Sequence, residues 1–360
     1  MLEKSGSERL FGLDIIRATA IVLVVLGHSR FMLQGTRLEG FPYVRMIDGV
    51  DMFFVLSGFL IGNIMLRQVQ VKGYFSVQEL LPFWKRRWFR TLPSYYLILL
   101  LNYVLVKSEI AAGDIAQFDW RFFFFLQNFS SPFHGFFWES WSLTIEEWFY
   151  LAFPIILVLA HKMFLPKQAF LVSVIVMLLF PLLYRAGIYD VEIKPEYFDL
   201  GIRKVVLTRL DSIGYGLLAA YFYQYYNLQW VKYRWAFFTI GVLMMMVILN
   251  LNPGLTTFYA QVFNFMVSPM SVMMLLPVAS SIKQYKWRVG KIITHISKVS
   301  YAMYLLNLGI LLDVIRNKSQ VFGEAKGIGF FLVYWAVLIV LSTAMYHFYE
   351  KPMMDLRDKF

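Results

Sequence analysis

The sequence predicts an all-α protein that crosses a membrane about ten times, with both termini on the cytoplasmic side. Three observations carry that expectation. Apolar residues fill 59% of the 360 positions and charged ones only 16%, with a mean hydropathy of +0.58; a soluble domain has roughly 25% charged residues. The apolar residues are gathered into runs of the length a helix needs to span a bilayer, about 17–25. Lysine and arginine are shared unevenly between alternate loops: with the N-terminus inside, 20 of the 34 fall on the cytoplasmic side and 12 on the other. That is the positive-inside bias, although Arg185, Arg203 and Lys204 run against it.

Ten long apolar segments cover residues 11–33, 47–66, 89–106, 140–160, 168–186, 204–226, 235–251, 259–281, 299–315 and 327–349. The aromatic stretch from Trp120 to Phe129 is too short to span and is expected to be interfacial or re-entrant. No linker, low-complexity tract or soluble-domain-sized tail interrupts the chain. Residues 1–360 are therefore expected to form one integral-membrane domain, with its core at 11–352. Asp14 and Arg17 break the first apolar run, which argues against a cleavable signal. With no cysteine, a disulfide framework, a thiol nucleophile and a thiolate metal site are excluded. The histidines (28, 134, 161, 295, 347) make no ligand spacing, so no metal is expected. The net charge of +11 would suggest nucleic acid in a soluble protein. Here its distribution among the loops accounts for it, and no nucleic-acid partner is expected.

The first segment holds the most informative residues. Asp14, Arg17 and His28 sit in a run otherwise apolar enough to enter a bilayer. Arg17 and His28 are three turns apart on one stripe, roughly 16 Å along the axis, with Asp14 close to the same face. Ionisable groups at mid-membrane cost about 2.5–3.5 kcal/mol each on insertion scales, so they persist where they face a protein interior or a wet cavity. A titratable imidazole at one end and a fixed cation at the other suggest a reaction site coupled to a binding site. The bland alternative is a helix whose polar groups only bond its neighbours.

Four further constellations carry chemistry. In segment two, Asp51 precedes Ser57-Gly58 and Gly62. Asp51 either orients His28, as a carboxylate orients an imidazole base, or caps its helix; the Gly58/Gly62 pair allows close backbone approach. The run Lys85-Arg86-Arg87-Trp88-Phe89-Arg90 puts Arg87 and Arg90 on one face, suited to phosphate or simply to a basic juxtamembrane loop. Segment four begins Trp141-Ser142-Leu-Thr-Ile-Glu146-Glu147; Ser142 and Glu146 share a face, and adjacent carboxylates in an apolar helix favour proton handling or hydroxyl binding. Arg209 and Asp211 are either an internal ion pair or substrate contacts. Following the direction of each segment, His28, Asp51 and Glu146 are expected to share a cavity nearer the outer face, with Arg17 and residues 85–90 at the inner face.

Several motifs resemble the acyltransferase 3 family of bacterial membrane O-acyltransferases. They are Arg17-x10-His28, Asp51-x-Phe-Phe-Val-Leu-Ser-Gly-Phe59, Arg87-x-x-Arg90 with Pro93, and Trp141-Ser-Leu-x-x-Glu146-Glu147-x-Phe-Tyr150. Further along stand Arg209-x-Asp211 with Tyr215-Gly216, Ser300-Tyr301-Ala-Met-Tyr304-Leu and Tyr349-Glu-Lys-Pro352. They occur in the family's order from residue 13 to 352. One departure is Asn307, where a histidine commonly follows the Ser-Tyr-x-x-Tyr-Leu motif. The hydrolase-like extracytoplasmic domain fused to some larger members is not legible here, so this membrane domain is expected to act alone or with a partner.

The resemblance implies acyl transfer, most often of acetyl, from cytoplasmic acyl-CoA to a sugar hydroxyl. The acceptor would be a surface glycan or its lipid-linked precursor, such as a polysaccharide or the O-antigen of lipopolysaccharide, at the bacterial cytoplasmic membrane. Arg17, Lys85, Arg86, Arg87 and Arg90 would then hold the donor. His28 would be general base or transient acyl carrier, supported by Asp51 or Glu146, with Asp14, Ser142, Glu147, Arg209 and Asp211 contacting acceptor or supporting the site. A proton-coupled transporter or glycan flippase competes with this reading, as its carboxylates and histidine could form a relay; the absence of an obvious internal repeat counts against it. A non-catalytic scaffold leaves the membrane-region charges without a purpose.

Overall fold

The computed structural model describes residues 9–39, 48–251, 253–285, 288–317 and 326–357. All ten apolar segments form helices, and the described residues contain no strand. In chain order these are α1 Phe11–Ser29, α2 Gly49–Lys72, α3 Val77–Lys107, α4 Ser140–His161, α5 Pro166–Gly187, α6 Leu210–Tyr225, α7 Arg234–Asn250, α8 Asn264–Ser281, α9 Arg288–Leu306 and α10 Ile328–Met345. Eight of them, counted with their π-helical and short helical extensions, are long and apolar enough to cross a membrane. The exceptions are α6 with 16 residues and α7 with 17. At 1.5 Å per residue these reach about 24–26 Å, short of a hydrocarbon core of about 30 Å. The expectation of about ten full-length spans is therefore met by eight. Segment 204–226 is overlong in sequence because Val205, Val206 and Leu207 are apolar but lie in the turn before α6.

Two kinds of position set the packing. Helix α2 is the most buried span, with α6 against it, and small residues bring the two backbones together. A Cβ on Gly58 would strike the Ile213 carbonyl, and one on Gly216 the Val55 carbonyl. Gly62 fits against Ala220 and Leu217. Helix α1 lies between α2, α8 and α9, which gives its polar stripe protein neighbours rather than lipid. The other kind of position is the π-helical turn. One at Asn307–Leu312 interrupts the path from α9 into the short helix Asp313–Asn317; such widened turns recur at functional sites.

The aromatic stretch is not a membrane-spanning helix. It forms a 3-10 turn, Trp120–Phe123, followed by an irregular loop. Phe122 and Phe125 are buried while Trp120 and Phe124 are exposed. Tyr95 and Tyr96 on α3 anchor it by donating hydrogen bonds to the carbonyls of Phe122 (2.8 Å) and Phe123 (2.7 Å).

Candidate active site

Three cavities lie in series along α1. The first, about 270 Å³, is lined by Arg9, Asp14 and Arg17 with Asn63, Arg67 and Tyr223. The second, about 110 Å³, is lined by Arg17, Arg87, Arg90, Glu146, Tyr150 and Tyr304, among others. The third, about 430 Å³, holds His28, Asp48, Trp138, Glu139, Arg203 and Tyr304. Arg17 and Leu60 line both the first and the second, and Val50 and Tyr304 both the second and the third. Arg17 and His28 thus face successive spaces along one helix.

In the middle cavity the arginines are unusual. Arg17, Arg87 and Arg90 form no salt bridge with a carboxylate among the described residues. Glu146 instead accepts a hydrogen bond from the Tyr150 hydroxyl at 3.2 Å, which is itself bonded to Ser57 Oγ at 2.8 Å. Glu147 points to α3, where Thr91 Oγ1 donates to it at 2.6 Å. Ser142 Oγ and the Tyr304 hydroxyl share a hydrogen bond of 2.6 Å in the wall between the second and third cavities.

At His28, Nδ1 lies 2.5 Å from Asn307 Oδ1. The amide is oriented by its other end, since Asn307 Nδ2 donates to the Tyr304 carbonyl at 2.6 Å. An amide oxygen only accepts, so Nδ1 carries the proton and Nε2 is left with its lone pair free. Glu139, at the N-cap of α4, reaches across to the π-helical turn: its Oε1 accepts from the N–H groups of Leu308 (3.1 Å) and Gly309 (2.9 Å). Its Oε2 is buried without a partner. Burial pushes this carboxyl up to about 8, against the pull of those backbone bonds. Across the chamber Arg203 pairs with Asp48 at 2.5 Å and Asp199 at 3.0 Å, and Lys204 pairs with Asp199 at 2.5 Å. Burial acts to raise Asp48, but Arg203 outweighs it and holds the carboxyl below its ordinary range. Arg203 also lies over the Trp141 ring (5.3 Å) and Lys204 over Trp138 (4.8 Å).

The remaining expected site residues sit elsewhere. Asp51 does not orient His28; it is buried in an ion pair with Arg209. Asp211 pairs with Arg185 at 2.6 Å, both side chains fully buried. Arg209 and Asp211 are therefore in internal ion pairs, but with partners on α2 and α5 and not with each other. Asp14 pairs with Arg9 at 2.6 Å and accepts from Ser297 Oγ at 2.7 Å. Glu146 shares a cavity with the arginines and not with His28, so His28, Asp51 and Glu146 do not form the single cavity expected. Lys85 and Arg86 line none of the three cavities. Sequence reasoning did not foresee roles for Glu139, Tyr304, Arg185, Asp48 and Arg203. Some signals were present: Asn307 as a departure from the motif, and Arg185, Arg203 and Lys204 as cations against the loop-charge trend.

A helical membrane protein with a polar cavity series ending at a half-buried histidine defines a class, multi-pass proteins with an intramembrane polar site. More particularly, the chain belongs to the acyltransferase 3 family, whose profile, described as an acyltransferase domain, matches residues 10–347. It is similar to the Staphylococcus aureus (strain COL) protein named "Putative O-acetyltransferase SACOL0978", 26% identical over 375 residues, covering 95% of this chain and 56% of the relative. It is also similar to O-acetyltransferase OatA of Staphylococcus aureus (strain NCTC 8325 / PS 47), 32% identical over 197 residues, 48% of this chain and 30% of the relative. The chain thus spans about half the length of the first of these relatives. No solved structure matches.

Proposed function

We propose that the protein transfers an acyl group, acetyl in the first instance, from cytoplasmic acyl-CoA to a hydroxyl of a surface glycan or its lipid-linked precursor. The observation that carries this reading is the second cavity. Arg17, Arg87 and Arg90 line one small space with, among the described residues, no salt bridge to a carboxylate of their own. Guanidinium groups that converge on a cavity without a carboxylate among the described residues suit an anionic ligand, and phosphates take them bidentately. The first cavity, with Arg67 and Arg9, continues that space and is large enough for more of a phosphate-bearing donor.

The third cavity supplies the chemistry. Nε2 of His28 removes the proton of the acceptor hydroxyl, whose oxygen attacks the thioester carbonyl. The C–S bond breaks, and the thiolate leaves and takes the proton back from the imidazolium. Alternatively Nε2 attacks the thioester first, the C–S bond breaks and the thiolate leaves; the acceptor oxygen then takes the acyl group, the N–acyl bond breaks, and the hydroxyl proton passes to the released thiolate. Either route places thioester and hydroxyl on the His28 side of Tyr304. Trp138, Trp141 and the Asp48–Arg203 pair would meet the sugar there. The lysine and arginine bias supports an orientation with the arginine end inside and the histidine end outside, as a protein of the bacterial cytoplasmic membrane would have it.

Purified protein in nanodiscs, given radiolabelled acetyl-CoA and membrane glycan, should consume thioester and label the glycan. His28→Ala should reduce the rate by about 10²–10⁴-fold, the range of general-base catalysis. Turnover within about tenfold of wild type removes His28 from the reaction. Transport of a labelled glycan precursor without thioester consumption would favour the transporter reading instead.

A further inference from the structure

We propose that Glu139 is a positioning residue for His28, acting through the π-helical turn at Asn307–Leu312 to hold Asn307 against the imidazole. The proposal rests on the acyl-transfer reading for its kinetic consequences, but its structural claim stands apart from it.

An N-cap acid ordinarily bonds the first N–H groups of its own helix. Glu139 makes no such bond. Its Oε1 crosses to α9's extension and accepts from two consecutive N–H groups, those of Leu308 and Gly309. They directly follow Asn307, the only hydrogen-bond partner described for the His28 ring. The same junction is closed from the other side, where the Tyr304 hydroxyl donates to the Glu139 carbonyl at 3.2 Å. The Tyr334 hydroxyl donates to the Asn307 carbonyl, also at 3.2 Å. Gly309 packs against the Asn102 amide with no room for a Cβ, so the turn is held on its far side too. Asn307 is left with one setting: Nδ2 to the Tyr304 carbonyl, Oδ1 to His28.

The consequence is chemical. A neutral imidazole has two tautomers, and only the one protonated on Nδ1 offers a basic Nε2. An acceptor fixed at Nδ1 selects that tautomer, whereas a loosened Asn307 could turn its amide or withdraw. Glu139 lines the chamber but makes no hydrogen bond to the imidazole, whose described partner is Asn307, so its effect runs through the turn, on rate and tautomer and not on donor binding. A second feature fits this role: Oε2 is buried and unpartnered, and the carboxyl is pushed up to about 8 by burial. A protonated Glu139 holds both N–H groups without adding a charge to the chamber. A glutamine should therefore replace it well, because its amide oxygen accepts equally. The charged groups facing His28 are Asp48 and Arg203 across the chamber and Arg316 from the short helix beyond the π-helical turn; Lys204 lines the same chamber.

The test uses full-length protein in nanodiscs with ¹⁵N-labelled histidine, the His28 signals being assigned by their loss in His28→Gln. Wild type should show protonated Nδ1 and unprotonated Nε2 above the pH at which the ring ionises. Glu139→Ala and Asn307→Ala should each move His28 towards a mixture of tautomers, and Glu139→Gln should restore the wild-type pattern. In kinetics the two alanine variants should each lower kcat about 10–100-fold with donor KM within about twofold, and the double variant should be no worse than the poorer single, since the residues act as one unit. Asn307→Asp should shift the acid limb of the kcat/KM profile to higher pH, because a carboxylate at Nδ1 favours the imidazolium. An unchanged tautomer in Glu139→Ala, or losses that multiply in the double variant, overturns the proposal. A wild-type protein that consumes no thioester overturns the acyl-transfer reading, while the nitrogen signals still decide the role of Glu139.

Discussion

Removing the Asp51 carboxylate should destabilise the folded protein by about 3–5 kcal/mol, the cost of leaving one member of a buried ion pair without its partner. The side chains of Arg209 and Asp51 are only 2% and 4% exposed. In Asp51→Asn the guanidinium stays in place with the Phe265 ring 4.7 Å away. A cation–π contact recovers about 0.5–2 kcal/mol, too little to replace the pair. Arg209→Met should cost a similar amount by stranding Asp51. The double variant Asp51→Leu with Arg209→Met should return to within about 1 kcal/mol of wild type, because apolar groups of similar volume replace buried pairs at little cost. Unfolding in mixed micelles followed by tryptophan fluorescence measures all three, and acyl transfer measured on the same samples separates packing from chemistry. If Asp51 acts only through the pair, the apolar double variant recovers activity along with stability. Losses that simply add in the double variant would refute the coupling, and a stable but inactive double variant would return Asp51 to the reaction.

Other expectations follow from the cavities and the chamber charges. Arg87→Ala and Arg90→Ala should each weaken acyl-CoA binding about 10–100-fold, at about 1.5–3 kcal/mol for a charge-assisted bond, and the double variant should weaken it further and flatten its salt dependence. Calorimetry with an unchanged donor affinity would assign this run to the basic-loop reading instead. Lys85→Ala with Arg86→Ala, outside the cavities, should change donor affinity by less than about threefold over the same salt range; a loss as large as that of the inner pair would move the donor onto the loop. Glu139 gives a pH dependence of known sign. Its folded value of about 8 lies above the ordinary 4.5, so between those values the folded state keeps a proton that the unfolded chain has released. Stability attributable to Glu139 is thus lost as pH rises through that window, and Glu139→Gln should gain on wild type from pH 5 to pH 8 in thermal unfolding. A constant difference between the two would contradict a raised carboxyl.

What could be read from the sequence divides along a physical line. Helices and the polar stripe of α1 were legible because a period of 3.6 residues relates near neighbours: Arg17 and His28 face successive cavities of one series, as their spacing required. Partner choice was not legible. Asn307 is 279 residues from His28, and Asp51 is 158 from Arg209, so no local pattern encodes either contact. Asp51 could be read as orienting His28 or as capping its helix; the first reading rested on a shared expected depth, and depth alone does not distinguish neighbours on different sides of α2. The length of α6 was overestimated for a related reason. An apolar run reports burial, and residues 204–209 are buried or nearly so in a non-helical turn.

Cations against the loop-charge trend had a reason of their own. Arg185 is fully buried against Asp211, and Arg203 and Lys204 are tied to Asp48 and Asp199, so none of them is a free charge that the membrane potential or anionic lipid would sort. The same criterion divides the arginines of the helix packing and of the cavities into two sets. Arg185 and Arg209 have a carboxylate within salt-bridge distance and serve packing between α2, α5 and α6. Arg17, Arg87 and Arg90 have none among the described residues, yet they converge on one cavity. Desolvating a cation is costly unless something of opposite charge arrives. An intramembrane charge is therefore a poor guide to a binding site until its partners are known, and the three that lack a carboxylate are the ones that argue for an anionic ligand.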